Sequence, residues 1–288
     1  MPDLELRFVL CDVFTDRPLT GNQLAVFTDA RDIPEGVLQA LAREVNFSET
    51  VFVYPAAGNA HARLRIFTPA KELPFAGHPV LGTAFVLGGP LQAIDLVLET
   101  GIGTVSVALE REGSRIVFAW MGQPVPSVAP YEEQDALLGA LGVERSLLPI
   151  ETYDNGLEHV FVRLGSEAEV VALEPNFAML ARLPQLGTSC FAGGATTFKT
   201  RMFAPGAGVD EDPATGSAAG PLACHLLSHG EVASGAEIEI SQGAEIGRPS
   251  TLFARAEGKG ASIESVSVGG SAVIVARGSY KLPPALHG

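Results

Sequence analysis

The sequence predicts an α+β protein built from two related halves. Short runs rich in Val, Ile and Phe, bounded by turn-forming residues, dominate the chain, and helical spacing is confined to a few segments. A chain of 288 residues is long for one hydrophobic core, so two domains are expected. The proline-rich stretch "GQPVPSVAP" predicts domains of residues 1–127 and 128–288, with the last strand able to pack on the first domain.

Three landmarks recur in the same order in both halves. They pair "NFSETVFV" at 46–53 with "NGLEHVFV" at 155–162, "RIFTP" at 65–69 with "RMFAP" at 201–205, and Gly77–His78 with Gly216–Ser217. The repetition indicates an old duplication of one architecture. The alternative is chance similarity among short apolar strands, which resemble one another easily.

Helical spacing defines the main helices. The first follows Asp32, whose side chain is a candidate N-cap, has Pro34 in its first turn and ends near Asn46. Two more are expected around 132–141 and from about 216 to 229.

Two glycine-containing stretches, "ELPFAGHPVLG" and "EDPATGSAAG", lead into helices. Proline is tolerated in a first helical turn, so Pro79 and Pro221 place helix starts at about Gly77 and Gly216. Unpaired amide groups there favour a carboxylate or an enolate-like oxygen. If the halves are related by a two-fold axis, both ends would hold one small anion in a cleft. The alternative is that the glycines only allow tight packing.

Glu49 is the candidate acid/base residue. It opens the strand "ETVFV" on the face of Val51 and Val53, where loss of water should raise its pKa and suit it to proton transfer near neutral pH. The alternative is a solvated strand end. Glu158 holds the matching place in the second half and is interpreted as a surface residue.

His78 and Asp212 are candidate partners. A helix start disfavours the protonated form of His78 and should keep it neutral. Asp212 precedes Pro213, so it is either a local turn former or a hydrogen-bond acceptor for substrate.

Charge and motif content exclude several classes. The net charge of −14 disfavours nucleic acid and anionic membranes as partners, and no run approaches about 18 apolar residues. No secretion signal is recognisable, and three dispersed cysteines without a CxxC pair indicate reduced thiols in a cytoplasm. The six histidines show no HExxH spacing, so no metal is expected.

The long motifs "ELPFAGHPVLGTA", "SETVFV" and "GVDEDPATGSAAGPLACHL" resemble the PhzF family, and "SCFAGG" and "AAGPLACHLLSHG" resemble its phenazine-pathway members. The likeness runs from "DVFTDRPLTGNQLAVF" to "QGAEIGRPSTLFARAEG". It implies the diaminopimelate epimerase fold: two domains, each an antiparallel sheet around a central helix, with the active site in the crevice. It also implies a homodimeric isomerase without cofactor or metal.

The resemblance further implies the substrate trans-2,3-dihydro-3-hydroxyanthranilate, rearranged to an aminoketone. Glu49 matches the residue that takes a proton from C3 and returns it to C1. The substrate-binding positions are Ser48, Gly77, His78, Asp212, Gly216 and Ser217. The related epimerases carry two cysteines at the glycine entrances, where this chain has none. Gln23 stands where the family commonly has proline, a change interpreted as affecting a turn and not the chemistry.

Two alternatives stay open. One is a PhzF-like isomerase or epimerase of another small cyclic or amino-acid carboxylate, which the absorbance of dihydrohydroxyanthranilate would distinguish. The other is a non-catalytic carboxylate-binding protein, for which no exchange of ligand hydrogen with solvent is expected.

Overall fold

The computed structural model describes residues 4–185, 187–259 and 262–282, which divide into two compact units. One unit runs to Met121 and takes up the chain again from Gly270, and the other is Gly122–Gly269. The sequence placed the boundary at 127–128 and allowed the last strand to pack on the first domain. In the structure the first unit's opening segment ends at Met121, and the last strand pairs with the first.

Ten elements form the chain as far as Gln123. They are β1 (Leu4–Val13), β2 (Asn22–Phe27), α1 (Glu35–Val45), β3 (Glu49–Tyr54), β4 (Ala62–Phe67), β5 (Glu72–Leu73), α2 (Gly77–Leu91), β6 (Asp95–Thr100), β7 (Gly103–Glu112) and β8 (Arg115–Gln123).

The remaining elements begin at Ser127. They are β9 (Ser127–Pro130), α3 (Gln134–Leu141), β10 (Glu151–Asp154), β11 (Glu158–Arg163), α4 (Glu167–Val171), α5 (Phe177–Leu180), β12 (Gly187–Gly194), β13 (Thr197–Ala204), β14 (Val209–Asp212), α6 (Gly216–Ser228), β15 (Glu237–Gln242), β16 (Ser250–Lys259), β17 (Ser262–Gly270) and β18 (Ala272–Leu282).

Both units have the same sheet topology. The strand order is β18-β1-β2-β3-β4-β6-β7-β8 in the first unit. It is β9-β10-β11-β12-β13-β15-β16-β17 in the second. Each sheet is mainly antiparallel, with parallel pairs between its third and fourth and its fifth and sixth strands. The predicted α+β class and the repeated architecture are confirmed.

The strand pairing identifies equivalent residues. Glu49 precedes the residue of β3 that faces Phe67 of β4, and Gly187 precedes the residue of β12 that faces Phe203 of β13. Glu49 therefore corresponds to Gly187. The proposed match with Glu158 is wrong, because the segment "NGLEHVFV" forms β11, the counterpart of β2. The other two landmark pairs lie on equivalent elements.

A buried helix lies at the centre of each unit, as predicted. In α2 nearly every residue of the first three turns is buried, and in α6 every residue from Gly216 to Leu227 is. A helix that is apolar on all sides needs cover on all sides, which the curved sheet supplies. At Gly82 an added Cβ would lie 2.6 Å from the side chain of Val13, so the sheet approaches the helix backbone closely.

The helix ends agree with the sequence, but two prolines, Pro34 and Pro221, lie elsewhere in their helices than predicted. Helix α1 ends at Asn46, which adopts the left-handed conformation. It begins at Glu35 with Pro34 at the N-cap, so the predicted cap by Asp32 is wrong. The residue before a proline is driven out of the helical region, which prevents a helix from starting earlier. Within the described residues, no helix has the length and apolarity that crossing a bilayer would need.

Candidate active site

Glu49 stands at the edge of the first unit's core. It is the first residue of β3, pairs with buried Leu24 of β2, and its side chain is 15% exposed. The residues after it, Thr50 to Val53, are buried. The carboxylate is therefore sheltered from most water and still accessible to a small molecule.

His78 faces this carboxylate. It is the second residue of α2 and is buried, and its Nε2 lies 3.5 Å from Oε2 of Glu49, longer than an ordinary hydrogen bond. Its Nδ1 lies 3.2 Å from Nδ2 of Asn22. Burial lowers the pKa of His78 to about 3, against the effect of a hydrogen bond with the backbone of Gln23. The ring is neutral, as predicted, with burial as the main cause.

The start of α2 offers free donors beside this pair. Ala76, the N-cap residue, supplies no side-chain cap. Among the described residues, the amide groups of Gly77 and His78 have no acceptor. Ser48, directly before Glu49, is half-buried. The first unit therefore combines one carboxylate, one neutral imidazole and a helix end suited to an anion.

Two neighbours of His78 were missed or misjudged from the sequence. Asn22 is fully buried at the start of β2, where a polar residue amid an apolar run was the available signal. Gln23 lies in the same strand and not in a turn, and its backbone contacts the His78 ring. This position is therefore coupled to the site through its main chain.

In the second unit Asp212 and Thr215 shape the start of α6. Asp212 ends β14 and is buried, and it accepts a hydrogen bond of 2.5 Å from Oγ1 of Thr215, the N-cap residue. Gln242 donates to the carbonyl of Asp212 and to Oγ1 of Thr215. Asp212 is therefore a local turn former, one of the two roles that the sequence predicted. Its other predicted role, accepting a hydrogen bond from substrate, stays a prediction.

Ser217 contacts a histidine that the sequence patterns did not single out. Its Oγ lies 3.1 Å from Nε2 of His159, and both residues are buried. Burial lowers the pKa of His159 to about 4, so this ring is also neutral. His159 opens a run of buried residues in β11 that continues to Val162, and this polar residue beside an apolar run was the signal that could have found it.

Helix α6 contains its proline one turn later than the sequence predicted. Pro221 lies in the second turn, so the predicted first-turn position is wrong. A proline there cannot donate to the carbonyl four residues earlier, that of Ser217. Asn155 donates to this carbonyl instead, at 2.9 Å, and Gln123 donates to that of Gly216 at 2.8 Å. One amide side chain thus replaces the donor that Pro221 lacks, and a second amide side chain donates to the neighbouring carbonyl.

The cysteines are poor nucleophiles. Cys11, Cys190 and Cys224 are buried free thiols. Burial raises the pKa of Cys224 to about 12 and also raises the pKa values of the other two. Since the thiolate is the reactive form, the local chemistry favours the carboxylate.

The fold is epimerase-like, as comparison with solved structures shows. A hydroxyproline epimerase from Agrobacterium vitis superposes with a TM-score of 0.68 at 12% identity, covering 99% of this chain and 95% of its own. A PhzF-family phenazine biosynthesis protein from Bacillus anthracis gives a TM-score of 0.82 at 24% identity, covering 96% and 99%.

The sequence comparisons then identify the family. The profile of the PhzC-PhzF family, described as phenazine biosynthesis-like protein, matches residues 11–278. The trans-2,3-dihydro-3-hydroxyanthranilate isomerase of Pseudomonas aeruginosa is 48% identical over 272 residues, which is 94% of this chain and 98% of that protein. This chain is a member of the PhzC-PhzF family.

Proposed function

We propose that this protein is an isomerase that converts trans-2,3-dihydro-3-hydroxyanthranilate to its aminoketone isomer in phenazine biosynthesis. The relative from Pseudomonas aeruginosa carries the name of this activity and matches nearly the whole chain. The observation that carries the proposal is the sheltered carboxylate of Glu49 beside the neutral ring of His78.

Glu49 acts as base and then as acid. It takes the proton from C3 of the substrate, the double bonds shift, and the same carboxyl group delivers the proton to C1. The resulting enol tautomerises to the aminoketone, so the reaction conserves all atoms. One carboxylate is enough because each step leaves it in the form that the next step needs.

His78 and the start of α2 stabilise the charge on the substrate. The neutral imidazole can hydrogen-bond without cancelling the charge of Glu49, and the 3.5 Å separation leaves room for the contact to tighten when substrate binds. The amide groups of Gly77 and His78 suit the carboxylate of the anthranilate ring. Ser48 contributes a hydroxyl beside Glu49.

We also assign Asp212, Gly216 and Ser217 to binding of the same substrate. The support is the family resemblance and the arrangement of all three around the start of α6. For Ser217, this role predicts a raised KM in Ser217→Ala. The exchange of substrate hydrogen with solvent, which depends on Glu49, should be retained in that variant.

The direct test mixes purified protein with dihydrohydroxyanthranilate and follows its ultraviolet absorbance. We expect the spectrum to change at a rate proportional to protein concentration. An unchanged spectrum at high protein concentration would reject this substrate. Other small cyclic or amino-acid carboxylates would then be incubated with the protein in D₂O. Deuterium in the recovered compound would indicate an isomerase of that carboxylate.

A binding protein without catalysis predicts a different result. It should hold the ligand without any solvent hydrogen entering it, in wild type and in Glu49→Gln alike. Deuterium incorporation by wild type alone, with ligand affinity kept in the variant, would exclude this alternative.

We further propose that the protein is a cytoplasmic homodimer. The free state of its three cysteines supports a reducing compartment. Sedimentation equilibrium of purified protein would give twice the chain mass for the dimer, and the mass of one chain would contradict it.

A further inference from the structure

A second cluster of titratable side chains lies in the second unit, apart from the residues assigned above. Glu151 is the first residue of β10, His225 lies in the last turn of α6, and His229 is the C-cap residue of that helix. Two residues four positions apart share one face of a helix. The histidines therefore project together toward the strand that carries Glu151.

The three side chains converge closely. Nε2 of His229 lies 2.9 Å from Oε2 of Glu151, and Nδ1 of His225 lies 3.4 Å from the same oxygen. One ligand atom from each residue lies within 4.8 Å of the others. Ligands at about 2.1 Å in a tetrahedral zinc site lie roughly 3.4 Å apart. The two nitrogen–oxygen distances, 3.4 and 2.9 Å, lie close to that spacing.

We propose that Glu151, His225 and His229 form a binding site for a divalent transition metal, with Zn²⁺ the best match. Two imidazoles and one carboxylate are a ligand set that zinc accepts, with a fourth position left for water.

The surroundings are those of a metal site. Tyr153 donates its hydroxyl to Oε2 of Glu151 at 3.1 Å and lies 3.2 Å from Nδ1 of His225, so a phenolic oxygen lies beside two of the proposed ligand atoms. The His225 ring is fully buried, stacked on Phe161 and edge-on to Phe191. The side chains of Glu151 and His229 are 23% and 21% exposed, which gives the ion a path from solvent.

The spacing explains why sequence motifs miss this site. The histidines form "HLLSH" without the glutamate of HExxH, and Glu151 comes from a distant strand. A bound ion would join β10 to the end of α6. Since the unfolded chain does not hold these ligands together, binding should stabilise the folded state.

The test uses full-length, tag-free protein treated with chelator and then dialysed. Isothermal titration with Zn²⁺ should give one ion per chain, and Co²⁺ should give the visible absorption of a low-coordinate complex. Zn²⁺ should also raise Tm. His229→Ala and Glu151→Gln should each lose at least about tenfold in affinity, and Tyr153→Phe a smaller amount. His61→Ala, which changes an exposed histidine of the first unit, should match wild type.

Wild-type protein that binds neither Zn²⁺ nor Co²⁺ at millimolar concentration would overturn the proposal, whatever the variants do. Unchanged affinity in a folded His229→Ala variant would overturn it as well, because the ion would then lie elsewhere. Circular dichroism of each variant confirms folding before titration.

Discussion

The starts of β3 and β12 occupy the same place in two sheets of identical topology, yet only one carries an acid. Glu49 opens β3, and Gly187 opens β12. The two units also differ in which element carries the buried histidine near this place. The first unit has its buried histidine on the helix, as His78, whereas the second has a serine there and a histidine on the adjacent strand. The two units share one scaffold, and the proposed acid/base carboxylate stands in the first of them.

Neighbouring side chains occupy the space in which a side chain at Gly187 would lie. A Cβ built there would lie 2.2 Å from Cε of Met202 and 3.4 Å from Nδ1 of His159. The second unit thus uses this space for packing where the first unit holds a carboxylate. This contrast makes a mechanism with a single acid/base residue more consistent with the fold than one with two.

The largest expected effect distinguishes the two glutamates that the sequence pairs. Glu49→Gln should lower the isomerisation rate by about 10²–10⁴-fold, since the amide cannot transfer the proton. Glu158→Gln changes an exposed carboxylate on β11 and should leave the rate unchanged. Steady-state kinetics on both variants checks this. Equal losses in the two would show that the strand equivalence does not identify the catalytic residue.

The buried histidines His78, His159 and His225 predict acid sensitivity. Burial lowers the folded-state pKa to about 3 for His78 and to about 4 for His159 and His225, below the ordinary value of 6.5, so the unfolded chain binds more protons at mildly acidic pH. Stability should be full above pH 6.5 and fall toward pH 4, by about 1.4 kcal/mol per pH unit for each histidine.

Urea unfolding at several pH values measures this slope. His159→Asn should reduce it by the contribution of one proton, and the exposed His61→Asn should not change it. A slope that is the same in all three proteins would mean that His159 is not held neutral in the fold.

Filling the space at Gly187 should destabilise the second unit. Gly187→Ala should cost about 1–3 kcal/mol, because Met202 must move to admit the new methyl group. In a Met202→Ala background the same change should cost less, because the contacting Cε is gone. Additive free energies of unfolding would indicate that the two residues do not interact.

A smaller quantity, the coupling energy between Asn155 and Pro221, tests how a side chain replaces the donor that α6 lacks at its proline. Asn155→Ala removes the donor to the Ser217 carbonyl and should cost about 1–3 kcal/mol. Pro221→Ala restores a main-chain N–H directed at the same carbonyl, so it should stabilise the Asn155→Ala protein more than it stabilises wild type. A coupling energy near 1 kcal/mol is expected. No coupling would mean that the carbonyl finds another donor.

Local signals carried much of the prediction. The class of fold, the buried central helices and the start of α2 at Gly77 follow from period, composition and proline placement. Glu49 and His78 were singled out because each stands at an element end next to apolar residues. The two residues lie close together because β3 and α2 pack in the same unit, and the local motifs do not encode that packing.

The errors arose where distant segments meet. "NFSETVFV" and "NGLEHVFV" look alike, but Asn46 ends a helix in the left-handed conformation and Asn155 is buried against α6. Strand order, which no local pattern encodes, decides which residues correspond. His159 and Gln123 acquire their roles from contacts with α6 in the same way. Pro221 was misplaced because a side-chain donor from another element makes an interior proline tolerable.

The pairing of β18 with β1 has a consequence for synthesis on the ribosome. Leu4 to Val13 leave the exit tunnel long before their partners, Ala272 to Leu282. The first unit therefore keeps an open sheet edge until β18 has been made, while the uninterrupted second unit can fold earlier. The unit that is begun first is completed second, so a chain cut short before β18 would leave β1 without its partner strand.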